Sequence, residues 1–171
     1  MVKYLFNCQF LAAMLLAGCS SAMTGEAPPQ ELTAQTIYRS TLCGGQQAAP
    51  ALRWIKAEDA YREMYPVIVP GQPDGRPASV PDVDFSEDSV LLISMGQRRT
   101  AGYRLALSSD PLRLRDGELT VPVEWTEPAD GLFVAQVMTH PCMIITLPQR
   151  DIRSITVVDQ NGSVLLSGEE N

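Results

Sequence analysis

The stretch "PLRLRDGELTVPVEW" at residues 111–125 decides the fold class, because it joins two alternating strands by a turn. Large apolar residues alternate with polar ones on both sides of Asp116-Gly117, the preferred pair for a two-residue type I′ turn. That turn places Leu114 opposite Leu119, so the turn and the apolar pattern predict the same register. The proline of "VPVEW" has no N–H to donate, which predicts an edge position or a bulge for the second strand.

Further strands are predicted on both sides of this hairpin. Residues 102–108, "GYRLALS", alternate in polarity, which places Tyr103, like Trp125 of the hairpin, on the inward face. Residues 89–96, "SVLLISMG", and 142–148, "CMIITLP", are almost wholly apolar and predict strands buried on both faces.

A second hairpin is predicted over residues 154–168, "SITVVDQNGSVLLSG", with its turn at the Asn-Gly pair. The apolar pattern pairs Val157 with Leu166 and Val158 with Leu165.

One helix is predicted over residues 56–65, "KAEDAYREMY", and Pro66 is expected to end it. Residues 66–83 carry five prolines and are expected to form a long surface loop. Many short strands and one short helix predict a mainly β fold, either an antiparallel β-sandwich or an open barrel.

The first nineteen residues, "MVKYLFNCQFLAAMLLAGC", have the pattern of an exported protein's leader. A basic start precedes an apolar run, residues 10–17, that is too short to span a bilayer. Leu16-Ala17-Gly18-Cys19 resembles the bacterial lipobox, which implies that residues 1–18 are removed and that Cys19 is diacylated. An ordinary secretory leader is the alternative.

The residues after Cys19 bear on the destination. In lipoproteins with this leader, Asp after the cysteine implies retention in the inner membrane, whereas Ser20 and Ser21 follow here. The expected location is therefore the outer membrane, facing the periplasm, with the inner membrane as the alternative. Residues 19–35 are small and polar and are predicted to be a flexible tether to one β-rich domain over residues 36–168.

Composition excludes one class of partner. The chain has 13 Lys and Arg against 20 Asp and Glu, a formal net charge of −7. Such a chain repels phosphate backbones, so nucleic acid is excluded as a partner. Anionic lipid surfaces do not attract it either, and membrane attachment is expected to come from the N-terminal lipid.

Two cysteines remain for the folded part, because Cys8 leaves with the leader and Cys19 carries lipid. In an oxidising periplasm Cys43 and Cys142 are expected to form one disulfide. His140 shares a strand face with Cys142 and with Cys43 would give three zinc ligands, but a closed zinc site requires four. No metal is expected.

No pattern in the sequence marks an active site. The serines lack a nucleophile-elbow context, and the carboxylates lack the spacing of a catalytic pair. The loop in "MGQRRTAGYRLAL", residues 95–107, is not a phosphate-binding loop, since Gly96 and Gly102 are too far apart and neither lysine nor helix follows. We expect no enzyme activity, no catalytic residue and no small-molecule cofactor.

Three segments in order resemble the C-terminal domain of the protease complex subunit PrcB family. They are "VDFSEDSVLLISMGQRRTAGYRLAL", "DGELTVPVEWTEP" and "AQVMTHPCMIITLP", which together cover roughly residues 82–150. Ala101-Gly102-Tyr103 stands for the family's Gly-Gly-Tyr or Thr-Gly-Tyr, with alanine where a second glycine is common. The resemblance implies an accessory, protein-binding module, with an envelope protease as a partner.

A more distant resemblance offers an alternative function. "RRTAGYRL" is similar to the "NPTTGY" loop of chagasin-type inhibitors of cysteine proteases, which implies direct inhibition through the loop around Arg98–Tyr103. The chain lacks a clear Gly-rich second loop, and "THPC" replaces the "RPW" of those inhibitors.

Both resemblances direct attention to the loop ahead of the strand at residues 102–108. Arg98 and Arg99 are expected to project outward and, with Thr100, Gly102 and Tyr103, to form the partner-binding site. A strand-connecting turn with a solvated pair of charges is the competing interpretation.

Acylation of Cys19 is testable in cells. Cys19→Ala should move the protein from the detergent phase to the aqueous phase in Triton X-114 partitioning, because a lipid anchor supplies its membrane affinity. Ser20→Ala is the matched control and should stay with the detergent. Unchanged partitioning of Cys19→Ala would refute the lipobox interpretation.

Overall fold

The computed structural model describes residues 28–45 and 47–169, so the predicted leader and the lipidation site at Cys19 lie outside the described part. Within it the chain forms two β-sheets and one helix. In chain order the elements are β1 (Gln30–Leu32), β2 (Gln35–Ser40), β3 (Ala51–Ile55), α1 (Glu58–Ile68), β4 (Asp88–Ser94), β5 (Arg104–Leu107), β6 (Leu112–Arg115), β7 (Glu118–Thr126), β8 (Cys142–Pro148), β9 (Ser154–Val158) and β10 (Val164–Glu169).

The strands divide into two sheets that share one core. The first sheet has the order β1-β6-β7-β9-β10, with β5 also paired to β7, and the second has the order β2-β8-β4-β3. Their neighbours are antiparallel except for the parallel pair β7 and β9. Two separate sheets packed face to face make the fold a β-sandwich rather than an open barrel, which confirms the predicted class.

The hairpin at Asp116-Gly117 has the predicted register. Leu114 lies opposite Leu119 across β6 and β7. Both turn residues have positive φ angles, 49° for the aspartate and 77° for the glycine, as a type I′ turn requires.

Pro122 does not lie at a sheet edge, so the edge alternative of that expectation is wrong. Strand β7 has β9 on one side and β6 followed by β5 on the other. Pairing with β6 ends at Thr120 and pairing with β5 begins at Val123. The residue without an N–H thus lies where β7 changes partners, and its carbonyl still accepts a hydrogen bond from Ser108.

The register of the second hairpin agrees with the prediction only in part. Val157 lies opposite Leu166 as expected, but Val158 lies opposite Val164 instead of Leu165. A register shift between Val164 and Leu166 leaves Leu165 out of the pairing. A β-bulge of this kind adds one residue to a strand, and the alternation of apolar residues does not reveal it.

Strands β4 and β8 are buried on both faces, as predicted, because they form the middle layer of the molecule. One set of their side chains fills the core between the sheets, comprising Leu91, Ile93, Met143, Ile145 and Leu147. The alternate set meets α1 in a second core and comprises Val90, Leu92, Cys142 and Ile144. Tyr103 and Trp125 pack against the first core but stay half-buried at its rim.

Helix α1 covers the outer face of the second sheet. It buries Tyr61, Met64, Tyr65 and Ile68, and it continues through Pro66, which the sequence predicts to end it. Pro66 is exposed and lies in the last turn, so a single hydrogen bond is lost. Burial of Tyr65 and Ile68 on the opposite face outweighs that loss.

The strand directions give the molecule two distinct ends. We call the end that carries the turn at residues 116–117 the turn end. Gln30 lies opposite Leu114, next to this turn, and both β1 and β2 run away from the turn end. At the other end, Ser40 and Ser94 both lie opposite Cys142 in the β8 register. The chain therefore enters the described structure at the turn end.

Ordered structure begins before residue 36, which corrects the predicted tether boundary. Residues 30–32 form β1 and residue 35 begins β2, although both lie in the stretch 19–35. The pairing of β1 with β6 holds this segment against the first sheet. Within the described ranges the chain forms one helix, α1. Its 11 residues are too few to cross a bilayer.

The predicted disulfide between Cys43 and Cys142 is confirmed. Its Cα atoms are 6.0 Å apart, and 99 positions separate the two cysteines in the sequence. The bond ties the segment after β2 to the first residue of β8, one of the two strands that both cores share.

Removing this crosslink should lower stability markedly. Cys43→Ala with Cys142→Ala should reduce the free energy of unfolding by about 4 to 5 kcal/mol, because a closed loop of this length strongly limits the unfolded chain. Urea melts of the oxidised protein, the reduced protein and the double variant measure the loss. A double variant as stable as the oxidised protein would show that the crosslink constrains nothing.

Candidate functional site

Two loops lie side by side at the end of the sandwich away from the turn end. The arginine loop, residues 95–103, joins β4 to β5, and the apolar loop, residues 127–141, joins β7 to β8. They are neighbours because Ser94 and Cys142 face each other in the β4–β8 ladder, so one loop begins where the other ends.

Hydrogen bonds fix the two loops to each other. Arg98 and Thr139 exchange two backbone bonds of 2.8 Å, and the Thr139 hydroxyl donates to the carbonyl of Thr100 at 2.9 Å. Further along, the N–H of Ala101 donates to the carbonyl of Ala135 at 2.9 Å. The loops thus form one connected surface whose backbone is held by the sheets beneath it.

Two glycines allow the close approach that this arrangement needs. Gly102 has φ of 98°, and a Cβ there would lie 3.0 Å from Pro128. Gly96 has φ of 73°, and a Cβ there would lie 2.5 Å from the carbonyl carbon of Ala49. Both positions combine a left-handed backbone with contact to another segment, which only glycine tolerates without rearrangement.

Arg98 is part of the loop structure, which corrects the expectation that it projects outward. Its guanidinium carbon lies 5.1 Å from the ring centroid of Tyr103, and its Nη2 lies 4.0 Å from a carboxylate oxygen of Glu127. The side chain is only 25% exposed. Arg98 therefore links the two loops, and its charge is partly compensated within the molecule.

The other predicted partner-binding residues divide by exposure. Arg99 and Gly102 are exposed, whereas Thr100 and Tyr103 are half-buried and contribute mainly to the packing of the loop. Arg99 is the arginine of the pair that faces solvent as expected. The structure brings all five residues to one end but leaves few of them available for contact.

A serine–histidine pair also lies at this end, and the sequence gives no sign of it. The Oγ of Ser94 is 3.1 Å from Nε2 of His140 and accepts a hydrogen bond from the N–H of Gly96. Burial lowers the pKa of His140, against a smaller opposing effect of the Cys43 backbone. Ser94 is 3% exposed, so its hydroxyl fixes the base of the loop and is not accessible to a substrate.

The apolar loop exposes large apolar side chains that the sequence patterns did not predict to lie at the surface. Of the described residues, seven large apolar side chains are exposed, and four of them lie here: Leu132 at 63%, Phe133 at 106%, Val137 at 49% and Met138 at 51%. Single exposed apolar residues are ordinary, but four within seven positions are an unusual concentration of exposed apolar side chains. Apolar residues in sequence are normally taken for core, which is why the pattern alone does not identify them.

The described ranges 28–45 and 47–169 contain no group of three or more His, Cys, Asp or Glu side chains that could hold a metal ion.

A groove elsewhere on the molecule runs between the edge strands β3 and β10, where Trp54 lies under the Lys56 ammonium.

The described residues thus form a β-sandwich with two hydrogen-bonded loops side by side at one end. Residues 89–148 match the family model described as PrcB C-terminal, which confirms the resemblance seen in the sequence motifs. The matched segment is about a third of the chain and runs from β4 to the end of β8, so both loops lie inside it. Searches of curated proteins and of solved structures gave no match.

The close contact at Gly96 should make this position intolerant of a side chain. Gly96→Ala should destabilise the protein by about 2 kcal/mol more than Gly131→Ala, because overpacking adds to the left-handed backbone strain. Gly131 is a matched control, since its φ is 80° and nothing lies within 4 Å of its Cβ position. Thermal melts of both variants measure the difference, and equal losses would show that the loop shifts freely.

Proposed function

We propose that this protein is a lipid-anchored, non-enzymatic accessory module that binds another envelope protein and serves a protease complex. The observation that carries the proposal is the solvent-exposed apolar surface inside the segment that matches the PrcB C-terminal family. A rigid sheet that presents loops is a common basis of recognition, since the scaffold fixes the loops in place.

The chemistry of the described residues supports a binding role over catalysis. Ser94 is buried beneath the arginine loop, and His140 contacts no carboxylate in the ranges the structure describes. A nucleophilic site needs an accessible hydroxyl and a base oriented by a third group. The same end of the molecule offers exposed apolar side chains, which are typical of contact surfaces.

The lipobox pattern at residues 16–19 supports anchoring through Cys19, and Ser20 and Ser21 in place of an aspartate support the periplasmic face of the outer membrane as the location. The net charge of −7 gives no attraction to anionic lipid, so the acyl chains supply the membrane affinity.

Direct inhibition of a papain-like protease is the alternative, and one observation favours it. The "RRTAGYRL" segment and Thr139–Pro141 lie next to each other, joined by the bonds between Arg98 and Thr139. Adjacent loops at one end of a sandwich are what an inhibitor of this kind would insert into a protease. The purified protein tested against papain separates the two functions, since an accessory module leaves papain active.

Cross-linking in intact cells tests the accessory role. The tagged full-length protein, treated with formaldehyde in cells and isolated in detergent, should carry an envelope protease at higher yield than an unrelated tagged outer-membrane lipoprotein does. Quantitative mass spectrometry gives the enrichment.

Two results would contradict the proposal. One is the absence of any protease among the enriched proteins. The other is inhibition of papain by the purified protein at equimolar concentration, which would favour the inhibitor function instead.

A further inference from the structure

The apolar loop exposes its largest side chains at its tip. Phe133 is fully exposed and Leu132 is 63% exposed. Leu132 closes a turn by donating a 3.2 Å backbone hydrogen bond to Ala129, and Phe133 follows it. Val137 and Met138 extend the apolar surface toward β8. We call these four side chains the apolar tip.

The backbone under the apolar tip is already held in place. Ala135 accepts a hydrogen bond from Ala101, and Thr139 is bonded twice to Arg98, on either side of Val137 and Met138. Val134 and Pro128 pack against Gly102, at 3.5 and 3.0 Å from where a Cβ would lie. A partner that binds the tip therefore has little backbone ordering to impose, which favours affinity.

The position of the tip argues against the anchoring membrane as its partner. The chain enters the described structure at the turn end, where Gln30 pairs with Leu114, and β7 runs from that end to the loop end. Its nine residues, Glu118–Thr126, span roughly 30 Å at the usual rise of a strand. The described chain thus begins at the end opposite the loop that carries Phe133.

The charges around the tip lead to the same conclusion. Arg99 is exposed near it, but Glu127 and Asp130 belong to the same loop and are exposed as well. The surface carries no net positive charge to attract anionic headgroups, which basic interfacial segments use. A protein partner with an apolar pocket matches its chemistry better.

Resting on the proposed accessory function, we infer that the apolar tip is the docking element for that partner. Phe133 and Leu132 enter an apolar pocket on a different envelope protein, and Arg99 contacts the polar rim of that pocket. The partner binds on the side of the domain that faces away from the lipid anchor. Aromatic anchors buried in a partner's pocket dominate the binding energy of such interfaces.

Photo-cross-linking in cells tests this inference with the full-length protein. Benzoylphenylalanine is placed at Leu132, at Phe133 and, as a control, at Val164, which is 66% exposed on β10. Positions 132 and 133 should form an adduct with one and the same protein, distinct from this chain, and position 164 should form none. Mass spectrometry identifies the adducts.

A pair of substitutions measures the contribution of the tip. Phe133→Ser should lower the co-isolation of the adduct protein by about tenfold, because an interface anchor is lost. Val164→Ser removes an exposed apolar side chain elsewhere and should leave the yield unchanged. Both variants should melt like the unchanged protein, because neither side chain contributes to a core.

The opposing outcomes are separable. Adducts at positions 132 and 133 with a second copy of this chain, or with phospholipid, would overturn the inference. Co-isolation of a protease that Phe133→Ser does not weaken would overturn it as well and leave the accessory function standing. If the adduct protein is captured through the tip but no protease is ever enriched, the docking surface stands and the proposed protease association fails.

Discussion

The pairing of β4 with β8 is the constraint on which the rest of the structure depends. Seven residue pairs, from Asp88 opposite Pro148 to Ser94 opposite Cys142, join the two strands in the middle layer. Their side chains fill both cores, so any slip of one residue would exchange the side chains of the two cores. The same register sets the arginine loop beside the apolar loop, since each loop is attached at one end of this ladder. Core packing and the placement of the two loops are therefore decided by one pairing.

Local chemistry made much of the fold predictable. The Asp116-Gly117 turn and the two strands buried on both faces follow from short-range sequence patterns. The Cys43–Cys142 bond follows because these are the two cysteines left for the folded part. Where the sequence reading failed, tertiary packing decided the outcome. The helix continues past Pro66 because Tyr65 and Ile68 are buried, and β7 accommodates Pro122 because its partner strand changes there.

The candidate site was less predictable, for a reason that concerns burial. Arg98 reads as a surface charge, but its placement over Tyr103 and beside Glu127 arises from two loops that are distant in sequence. Phe133 and Leu132 are apolar yet exposed, because backbone bonds and the packing of Val134 and Pro128 against Gly102 hold their loop without burying them. Exposure is a property of the assembled fold, and neither composition nor periodicity contains it.

The placement of the disulfide has a mechanical consequence. A pull on the chain ahead of β1 acts along the axes of β1 and β2, which have only β6 and β8 as their sheet partners. Force would shear these two strands from the sandwich one after the other, but extraction must stop at Cys43, which is covalently joined to the central strand β8. The crosslink thus acts as a brake on unravelling from the N-terminal side. Beyond that point the pull acts on β8 through the crosslink and no longer peels the chain residue by residue.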